Sequence, residues 1–163
     1  MKRFSQKRIF ITGAGSGLGR ALALAYASDG WKVGVAEIDP ARAEETVRQV
    51  NAAGGQGLAI VCDVTKEDDL INAVRQMEDQ WQGVDIVVNN AGVSGAGLVA
   101  DIPDEKWDWI LNINLKGAIN GCRAFIPLLE KSGGHLVNIA SYLGFINTPE
   151  SACYNVTKAG IIS

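Results

Sequence analysis

Short runs rich in valine and isoleucine alternate along the whole chain with longer segments of helical periodicity. Continuous apolar runs of this length are typical of strands that are covered on both faces, as in a parallel sheet whose strands are joined by helices. Five runs are predicted to be strands: residues 8–11, 32–36, 57–61, 86–89 and 135–139. The sequence therefore predicts an α/β fold with one domain, residues 1–163, and a doubly wound parallel sheet in three layers.

A glycine-rich turn at residues 12–19 follows the first predicted strand and opens the next helix. Glycines at these positions allow a tight turn, a close approach of the backbone to a pyrophosphate, and close packing of the helix on the sheet. The free amide groups at the amino end of the helix then point toward the anion. The pattern predicts a dinucleotide cofactor that is bound through Gly13, Gly15, Ser16, Gly17, Leu18 and Gly19.

An acidic residue, Glu37, stands at the end of the second predicted strand, about 20 positions beyond the glycine turn, as in dinucleotide sites. A carboxylate there accepts the hydroxyls of the adenine ribose and repels a 2'-phosphate. Neither Ser16 nor Ile38 supplies a positive charge that could hold such a phosphate. The sequence therefore favours NAD(H) over NADP(H). The alternative is that Glu37 is a solvated charge at a strand end.

Polar residues also follow the third and fourth predicted strands, at the edge of the sheet where folds of this class bind ligands. Asp63 and Val64 are placed to hold the adenine amino group through a carboxylate and a backbone amide. Asn89 either belongs to the ligand site or ties neighbouring strands together through its side-chain amide. The cofactor site is predicted to continue along Asn90, Ala91 and Gly92.

Tyr154 and Lys158 stand four positions apart, a spacing that brings two side chains onto one face of a helix. A lysine ammonium beside a phenol favours the ionised form, so the pair can exchange a proton with a substrate. Ser141, upstream of both, can hydrogen-bond the substrate oxygen. Taken singly, a Tyr and a Lys at this spacing are typical of a surface pair, and Ser141 of a turn.

Five motifs occur in register along the chain: the turn at residues 12–19, Asn-Asn-Ala-Gly at 89–92, Asn114 within Asn-Ile-Asn-Leu-Lys-Gly, Ser141, and the Tyr-x-x-x-Lys pair of Tyr154 and Lys158. In this order and spacing the chain resembles the short-chain dehydrogenase/reductase family over its whole length. The resemblance implies a Rossmann-like fold, a nicotinamide cofactor that Tyr154 and Lys158 also contact, and a catalytic tetrad of Asn114, Ser141, Tyr154 and Lys158. It further implies that Asn114 positions Lys158 through a water; the alternative is that Asn114 is a helix kink or cap.

The overall composition bears on the class of partner. The formal net charge is −3, and no run of Lys and Arg beyond the basic first eight residues offers a surface to nucleic acid. No segment reaches the roughly 20 apolar residues that a membrane span requires. Three cysteines without paired spacing indicate reduced thiols in a cytoplasmic setting and argue against a zinc site. The predicted partner is a small-molecule alcohol or carbonyl compound.

The predicted last helix begins at Tyr154 and stops at Ser163 without a cap or a following strand. Members of the family carry two more strands and a substrate-covering loop beyond this point, so the chain is interpreted either as truncated or as covered there by another subunit. A long helix is predicted from residue 114 to residue 130. Because this helix and the last one would each pack only one side on the sheet, we expect a homo-oligomer, a dimer or a tetramer.

The predicted function is that of an oxidoreductase that transfers a hydride between NAD(H) and a small or medium alcohol or ketone, with Tyr154 as the acid/base. One alternative is a truncated NAD-binding module without turnover that acts as a sensor or scaffold. A second is an oligomerisation module whose glycine turn is vestigial. The enzyme and the sensor both bind NADH, so turnover is the property that separates them.

Overall fold

The computed structural model describes residues 4–163 and shows a five-stranded parallel sheet between two layers of helices. The basic residues Lys2 and Arg3 lie outside the described residues. The strands are β1 (Arg8–Thr12), β2 (Lys32–Glu37), β3 (Gln56–Val61), β4 (Ile86–Asn89) and β5 (His135–Asn138). Each predicted strand is confirmed with bounds that differ by at most one residue at either end. The doubly wound, three-layer fold is confirmed with them.

The strand order is β3-β2-β1-β4-β5, so the chain first runs outward from β1 and then returns to its other side. The sheet therefore has a switch point between β1 and β4, where neighbouring connections leave in opposite directions. All neighbouring strands pair in parallel, which places their carboxyl ends at one edge of the sheet. Folds of this class bind ligands in the crevice at that edge.

The helices within residues 4–163 are α1 (Gly17–Ser28), α2 (Pro40–Ala52), α3 (Glu67–Trp81), α4 (Asp104–Leu111), α5 (Gly117–Ser132) and α6 (Ala152–Ile162). A π-helical segment, Asn112–Lys116, joins α4 to α5 without a break. The long helix predicted from residue 114 is therefore continuous with the helix that begins at Asp104, because the π-helical segment leaves no break between them. None of the described helices is long and apolar enough to cross a membrane.

Local sequence signals account for several of the helix ends. The Asp39 side chain accepts hydrogen bonds from the Ala41 and Arg42 amides, at 2.9 and 3.3 Å, and Pro40 occupies the first helical position of α2. At the other end of the domain, α5 stops at Gly133, whose φ of 61° lies in the left-handed region that favours glycine.

The core consists of two apolar clusters, one on each face of the sheet. Ile9 and Ile11 of β1 face the cluster with α1 and α2, whereas Phe10 between them faces α3 and α5. The Phe10 ring stacks on Phe125 of α5, with 4.3 Å between the ring centroids. All these side chains are fully buried, so β1 is held rigidly from both sides directly below the glycine turn.

A buried ion pair lies at the amino end of the sheet, opposite the crevice. The Arg8 guanidinium donates to both carboxylate oxygens of Asp85, at 3.1 and 2.9 Å, and the Arg8 backbone amide donates to the same carboxylate at 2.9 Å. Arg8 Nη1 also donates to the carbonyls of Trp81 and Gln82. The pair joins the start of β1 to the residue that precedes β4.

Candidate active site

Two adjoining cavities lie at the carboxyl edge of the sheet, above the switch point. The larger is a cleft of ≈ 460 Å³ between the glycine turn and the ends of β2, β3 and β4. The smaller, of ≈ 230 Å³, lies toward α6. Four residues line both cavities, so the two adjoin: Leu18, Asn90, Gly92 and Val93.

Most of the residues predicted to bind the cofactor line the cleft: Gly13, Ser16, Gly17, Leu18, Glu37, Asp63, Val64, Asn90, Ala91 and Gly92. Gly15 and Gly19 are buried and do not line the cleft. Tyr154 and Lys158 line the smaller cavity. The two other predicted catalytic residues, Asn114 and Ser141, line neither cavity.

The glycine turn is packed too closely for side chains at two of its positions. Gly13 has a φ of 63°, and a Cβ atom on it would lie 2.9 Å from Ala91 Cα. A Cβ atom on Gly19 would overlap the Gly13 carbonyl oxygen. Gly17, at the amino end of α1, differs, because a Cβ atom there would meet nothing within 4 Å. The turn therefore leaves open space where the first amides of α1 can approach an anion.

Hydrogen bonds tie the glycine turn to the loop that follows β4. Thr12 Oγ1 accepts from the Asn90 and Ala91 amides, both at 3.0 Å. Asn90 Nδ2 donates to the Thr12 carbonyl at 2.8 Å. These bonds hold together the two sides of the switch-point crevice.

Glu37 is bonded to the glycine turn, so the alternative of a solvated charge does not hold. Its Oε2 accepts from the Gly15 amide and its Oε1 from the Ile38 amide, both at 3.0 Å, and the residue is 8% exposed. The Gly15 carbonyl accepts from Arg20 Nη2, and Arg20 Nε donates to Thr46 Oγ1. Gly15 is thus held through its amide by an anion and through its carbonyl by a cation.

A cation that was not predicted as a site residue also lines the cleft. Arg42, in the first turn of α2, lies in the cleft wall with Glu37 and forms an ion pair with Asp39, at 3.3 Å between Nε and Oδ2. Ser16 and Ile38 carry no positive charge, but Arg42 brings one to the cleft wall. Pro40 starts α2 and places Arg42 in its first turn, which faces the end of β2. This proline is the sequence signal that could have indicated Arg42.

The loop after β3 is fixed from two helices. The Asp63 amide donates to Asp69 Oδ2 of α3 at 2.9 Å, and the Val64 carbonyl accepts from Asn120 Nδ2 of α5 at 3.1 Å. Asp63 Oδ1 accepts from the amide and the hydroxyl of Thr65. Asn120 was not predicted as a site residue, and a buried asparagine in a helix leaves no sequence pattern that would have singled it out.

Cys62 lies in the cleft wall just before this loop and is 3% exposed. Burial raises the pKa of the Cys62 thiol to about 12, with smaller contributions from the negative charges of Asp69 and Asp63. The thiol is therefore neutral at physiological pH and forms an uncharged part of the wall.

Lys158 and Tyr154 lie together on α6. Lys158 Nζ lies 5.6 Å from the centre of the Tyr154 ring and donates to the Ile139 carbonyl at 2.6 Å. Lys158 is 5% exposed, and this burial lowers the pKa of its ammonium. The lysine thus reaches from α6 to the end of β5 along one wall of the smaller cavity.

Ser141 follows β5 and begins a short 3₁₀ helix, Tyr142–Gly144. Its Oγ accepts from the Leu143 amide at 3.2 Å, so it has the capping role expected of a turn serine. The 3₁₀ helix packs closely on α6, because a Cβ atom on Gly144 would lie 2.8 Å from the carbonyl carbon of Lys158. The structure therefore brings the serine segment against the backbone of the lysine.

Asn114 lies in the π-helical segment and is 2% exposed. Its Oδ1 accepts from the Val93 amide at 2.7 Å, and its Nδ2 donates to the Val93 carbonyl at 2.8 Å and to Thr157 Oγ1 at 3.2 Å. It is not a helix cap, although it does occupy an irregular stretch of helix. Its side chain links the loop after β4 to the residue that precedes Lys158.

Asn89 has a structural role in the described residues. Its Nδ2 donates to Asn138 Oδ1 at 2.8 Å and to the Ala118 carbonyl at 3.3 Å. It therefore ties β4 to β5 and to α5, which is the second of the two alternatives. Residues 4–163 contain no group of three His, Cys, Asp or Glu that could hold a metal ion.

Comparison with known proteins gives matches along nearly the whole chain. The family model described as "short chain dehydrogenase" matches residues 7–163. A CLA biosynthesis dehydrogenase/reductase of Lactiplantibacillus plantarum is 32% identical over 160 residues, which are 97% of this chain and 56% of that protein.

Two solved structures are similar over almost all of the chain. An NAD⁺-bound xylitol dehydrogenase has a TM-score of 0.94 at 32% identity, covering 99% of this chain and 63% of that one. A short chain dehydrogenase/reductase from Burkholderia phymatum in complex with NAD has a TM-score of 0.95 at 32% identity, covering 99% and 58%. The chain thus spans a little over half of the length of these proteins.

Proposed function

The chain belongs to the short-chain dehydrogenase/reductase family, and on that premise we propose that it transfers a hydride between NAD(H) and a small or medium alcohol or ketone. The observation that carries the proposal is that Tyr154 and Lys158 line one cavity, with the ammonium 5.6 Å from the centre of the phenol ring. That cavity shares four lining residues with the cleft below the glycine turn. A group that can transfer a proton therefore adjoins the cleft in which we place the dinucleotide.

The residues of the cleft fit a nicotinamide dinucleotide. The open space at Gly17 lies at the amino end of α1, where backbone amides and the helix dipole favour a pyrophosphate. Glu37 and Asp63 lie in the cleft wall, where carboxylates can accept ribose hydroxyls and a base amino group. A bound nicotinamide dinucleotide would supply the hydride acceptor in oxidation and the hydride donor in reduction.

Tyr154 acts as the acid/base in this proposal. In oxidation it takes the proton of the substrate hydroxyl while the carbon atom gives up its hydride, and in reduction it returns a proton to the carbonyl oxygen. The Lys158 ammonium favours the ionised phenol through its charge. Ser141 Oγ accepts from the Leu143 amide, which leaves its own proton for the substrate oxygen. Asn114 positions α6 through Thr157.

We favour NAD(H) over NADP(H) as the cofactor. The Glu37 carboxylate can accept both ribose hydroxyls, and its negative charge opposes a 2'-phosphate. Arg42 is the cation that could offset this charge, but its guanidinium is paired with Asp39. The buried Glu37 carboxylate at the end of β2 therefore supports a preference for NAD(H).

Turnover tests the proposal. The chain is assayed for NADH-dependent reduction of a panel of small ketones, and Tyr154→Phe is compared with Tyr26→Phe. Tyr26 is a matched control, since its ring packs on Trp31 in the α1 region, away from the cavities. We expect Tyr154→Phe to lower kcat by about 10²–10⁴-fold, the usual contribution of a general acid/base. An equal rate in Tyr154→Phe and the wild type refutes the acid/base role.

NADH binding without reduction of any ketone in the panel would instead favour the sensor or scaffold alternative. Absence of NADH binding, with Gly13→Val having no effect on any activity, would favour the oligomerisation module. The two measurements therefore separate the three candidate functions.

We also propose that the chain forms a homo-oligomer through α4 and α5. Three large apolar side chains on this helix pair are 40–44% exposed: Trp109, Ile119 and Ile126. The Lys106 ammonium lies 3.8 Å from the Trp109 ring centre, and so covers one part of the surface. Size-exclusion chromatography with light scattering tests the proposal: a dimer or tetramer is expected, and a strict monomer refutes it.

A further inference from the structure

We infer that Asn120 is a positioning residue that sets the base-binding edge of the cleft, an inference that rests on the proposed cofactor function. Asn120 lies on α5 and is 4% exposed, so its side chain is committed to the interior. Its Nδ2 donates to the Val64 carbonyl at 3.1 Å. The bond joins α5 directly to the loop that is predicted to hold adenine.

Close packing supports this bond. A Cβ atom on Gly117, three residues earlier on α5, would lie 2.7 Å from Val64 Cγ2. The helix can therefore approach the loop only because position 117 lacks a side chain. Gly117 allows the helix to pack against Val64, and Asn120 donates a hydrogen bond to the Val64 carbonyl. Val64 is therefore held against α5 at two points.

The other hydrogen bonds of the loop leave one acceptor and one donor that could bind a ligand. The Asp63 amide is taken by Asp69, and Asp63 Oδ1 by Thr65. Asp63 Oδ2 has only the mostly exposed Lys66 ammonium at 3.8 Å. In the described part of the chain the Val64 amide donates to no protein acceptor. An acceptor and a donor thus remain side by side, which suits a base with an amino group next to a ring nitrogen.

Asn120 controls the position of that donor. A peptide is planar and rigid, so a hydrogen bond that locates the Val64 carbonyl also restricts the orientation of the backbone around Val64. Without this bond, the carbonyl loses its partner in a buried region and the loop is free to shift. The Asp63 carboxylate and the Val64 amide would then no longer match the two adjacent groups of adenine.

A change in base preference distinguishes this role from a contribution to stability alone. The probes are NADH and reduced nicotinamide hypoxanthine dinucleotide, in which an oxygen replaces the adenine amino group. That oxygen cannot donate to Asp63 Oδ2 and is repelled by it. The wild type should therefore bind NADH more tightly than the hypoxanthine analogue. A variant with a displaced loop should bind the two with similar affinity.

The test variant is Asn120→Asp, which keeps the shape of the side chain but replaces the donor by an acceptor. We expect its Kd for NADH to rise about tenfold, the effect of losing one buried hydrogen bond, and its preference for NADH over the analogue to narrow by a similar factor. Asn120→Ser, which is smaller and uncharged, should shift both values in the same direction. It serves as the second variant if the aspartate prevents folding.

Asn155→Asp is the matched control. Asn155 is 5% exposed and its Nδ2 donates to the Thr148 carbonyl at 3.1 Å, so it makes the same kind of bond far from the base-binding loop. Its base preference should equal that of the wild type. If folded Asn120→Asp or Asn120→Ser keeps the wild-type preference, the inference is wrong even when stability falls. If the wild type binds no NADH at all, the proposed function itself fails.

Discussion

Replacing Asp85 by asparagine should destabilise the protein, because Asp85 is the partner of a buried arginine at the amino end of the sheet. Its carboxylate accepts three hydrogen bonds from Arg8, at 2.9, 3.1 and 2.9 Å. The Arg8 and Asp85 side chains are 10% and 6% exposed. Asparagine keeps the shape but removes the charge, and its amide nitrogen would face a guanidinium donor.

The size of the effect follows from that burial. Removing one partner of a buried ion pair costs about 3–5 kcal/mol, since the other charge is left uncompensated. In a chain of about 150–250 residues, each kcal/mol lowers Tm by about 2–4 °C, so Tm should fall by about 6–20 °C. Because a domain is stabilised by about 5–15 kcal/mol in total, the variant would lose a large fraction of its stability.

Differential scanning calorimetry and urea unfolding measure the loss. Glu78→Gln is the control, because Glu78 pairs with Lys131 at 3.4 Å while the two side chains are 43% and 72% exposed. Breaking such a surface pair should cost less than about 1 kcal/mol. If Asp85→Asn is no more destabilising than Glu78→Gln, the argument from burial is wrong.

Three further predictions concern the site. Glu37→Gln removes the charge that opposes a 2'-phosphate, so the ratio of NADPH to NADH affinity should rise at least about tenfold. Fluorescence titration with each cofactor measures this ratio, and an unchanged ratio contradicts the role of Glu37. Gly121→Ala should destabilise the fold by about 1–3 kcal/mol, because its Cβ atom would overlap Asn89 Oδ1; urea unfolding measures the loss, and unchanged stability contradicts the packing. Because burial raises the pKa of Cys62 to about 12, its thiolate should be nearly absent at pH 8. DTNB should therefore label the half-buried Cys122 before Cys62. Fast labelling of Cys62 in the native protein, detected by peptide mapping, contradicts this prediction.

Local sequence signals are sufficient to predict the strands and the glycine turn. The run at residues 86–89 is apolar enough to identify β4, and Gly13 has the positive φ that the turn pattern requires. Strand ends were predicted to within one residue, and the remaining differences depend on pairing. Glu37 counts as part of β2 since it pairs in register with Val61. The join between the helix that begins at Asp104 and the long helix was not predicted, because the π-helical segment breaks the regular spacing that sequence periodicity detects.

The parts of the site that could not be predicted depend on contacts across the fold. Asn120 reaches Val64, which lies 56 positions away, and only the packing of α5 brings them together. The Gly15 amide reaches Glu37, 22 positions away, so the carboxylate that was predicted to select the ribose also supports the turn. Arg42 enters the cleft wall because of the way α2 leaves β2. Spacing along the sequence reveals neither the contact of Asn120 with Val64 nor that of the Gly15 amide with Glu37.

The continuous helix from residue 104 to residue 132 restricts the number of residues in this segment more than it restricts their types. Asn114 and Asn120 are six positions apart, roughly 9 Å along a helix axis, and each fastens a different loop. Exchanging an outward residue between them, such as the 40% exposed Ile119, leaves that span intact. Deleting a single residue would rotate everything beyond it by about 100° and release one of the loops. Point substitutions at outward positions can therefore accumulate along this stretch during evolution, whereas insertions and deletions should be rejected.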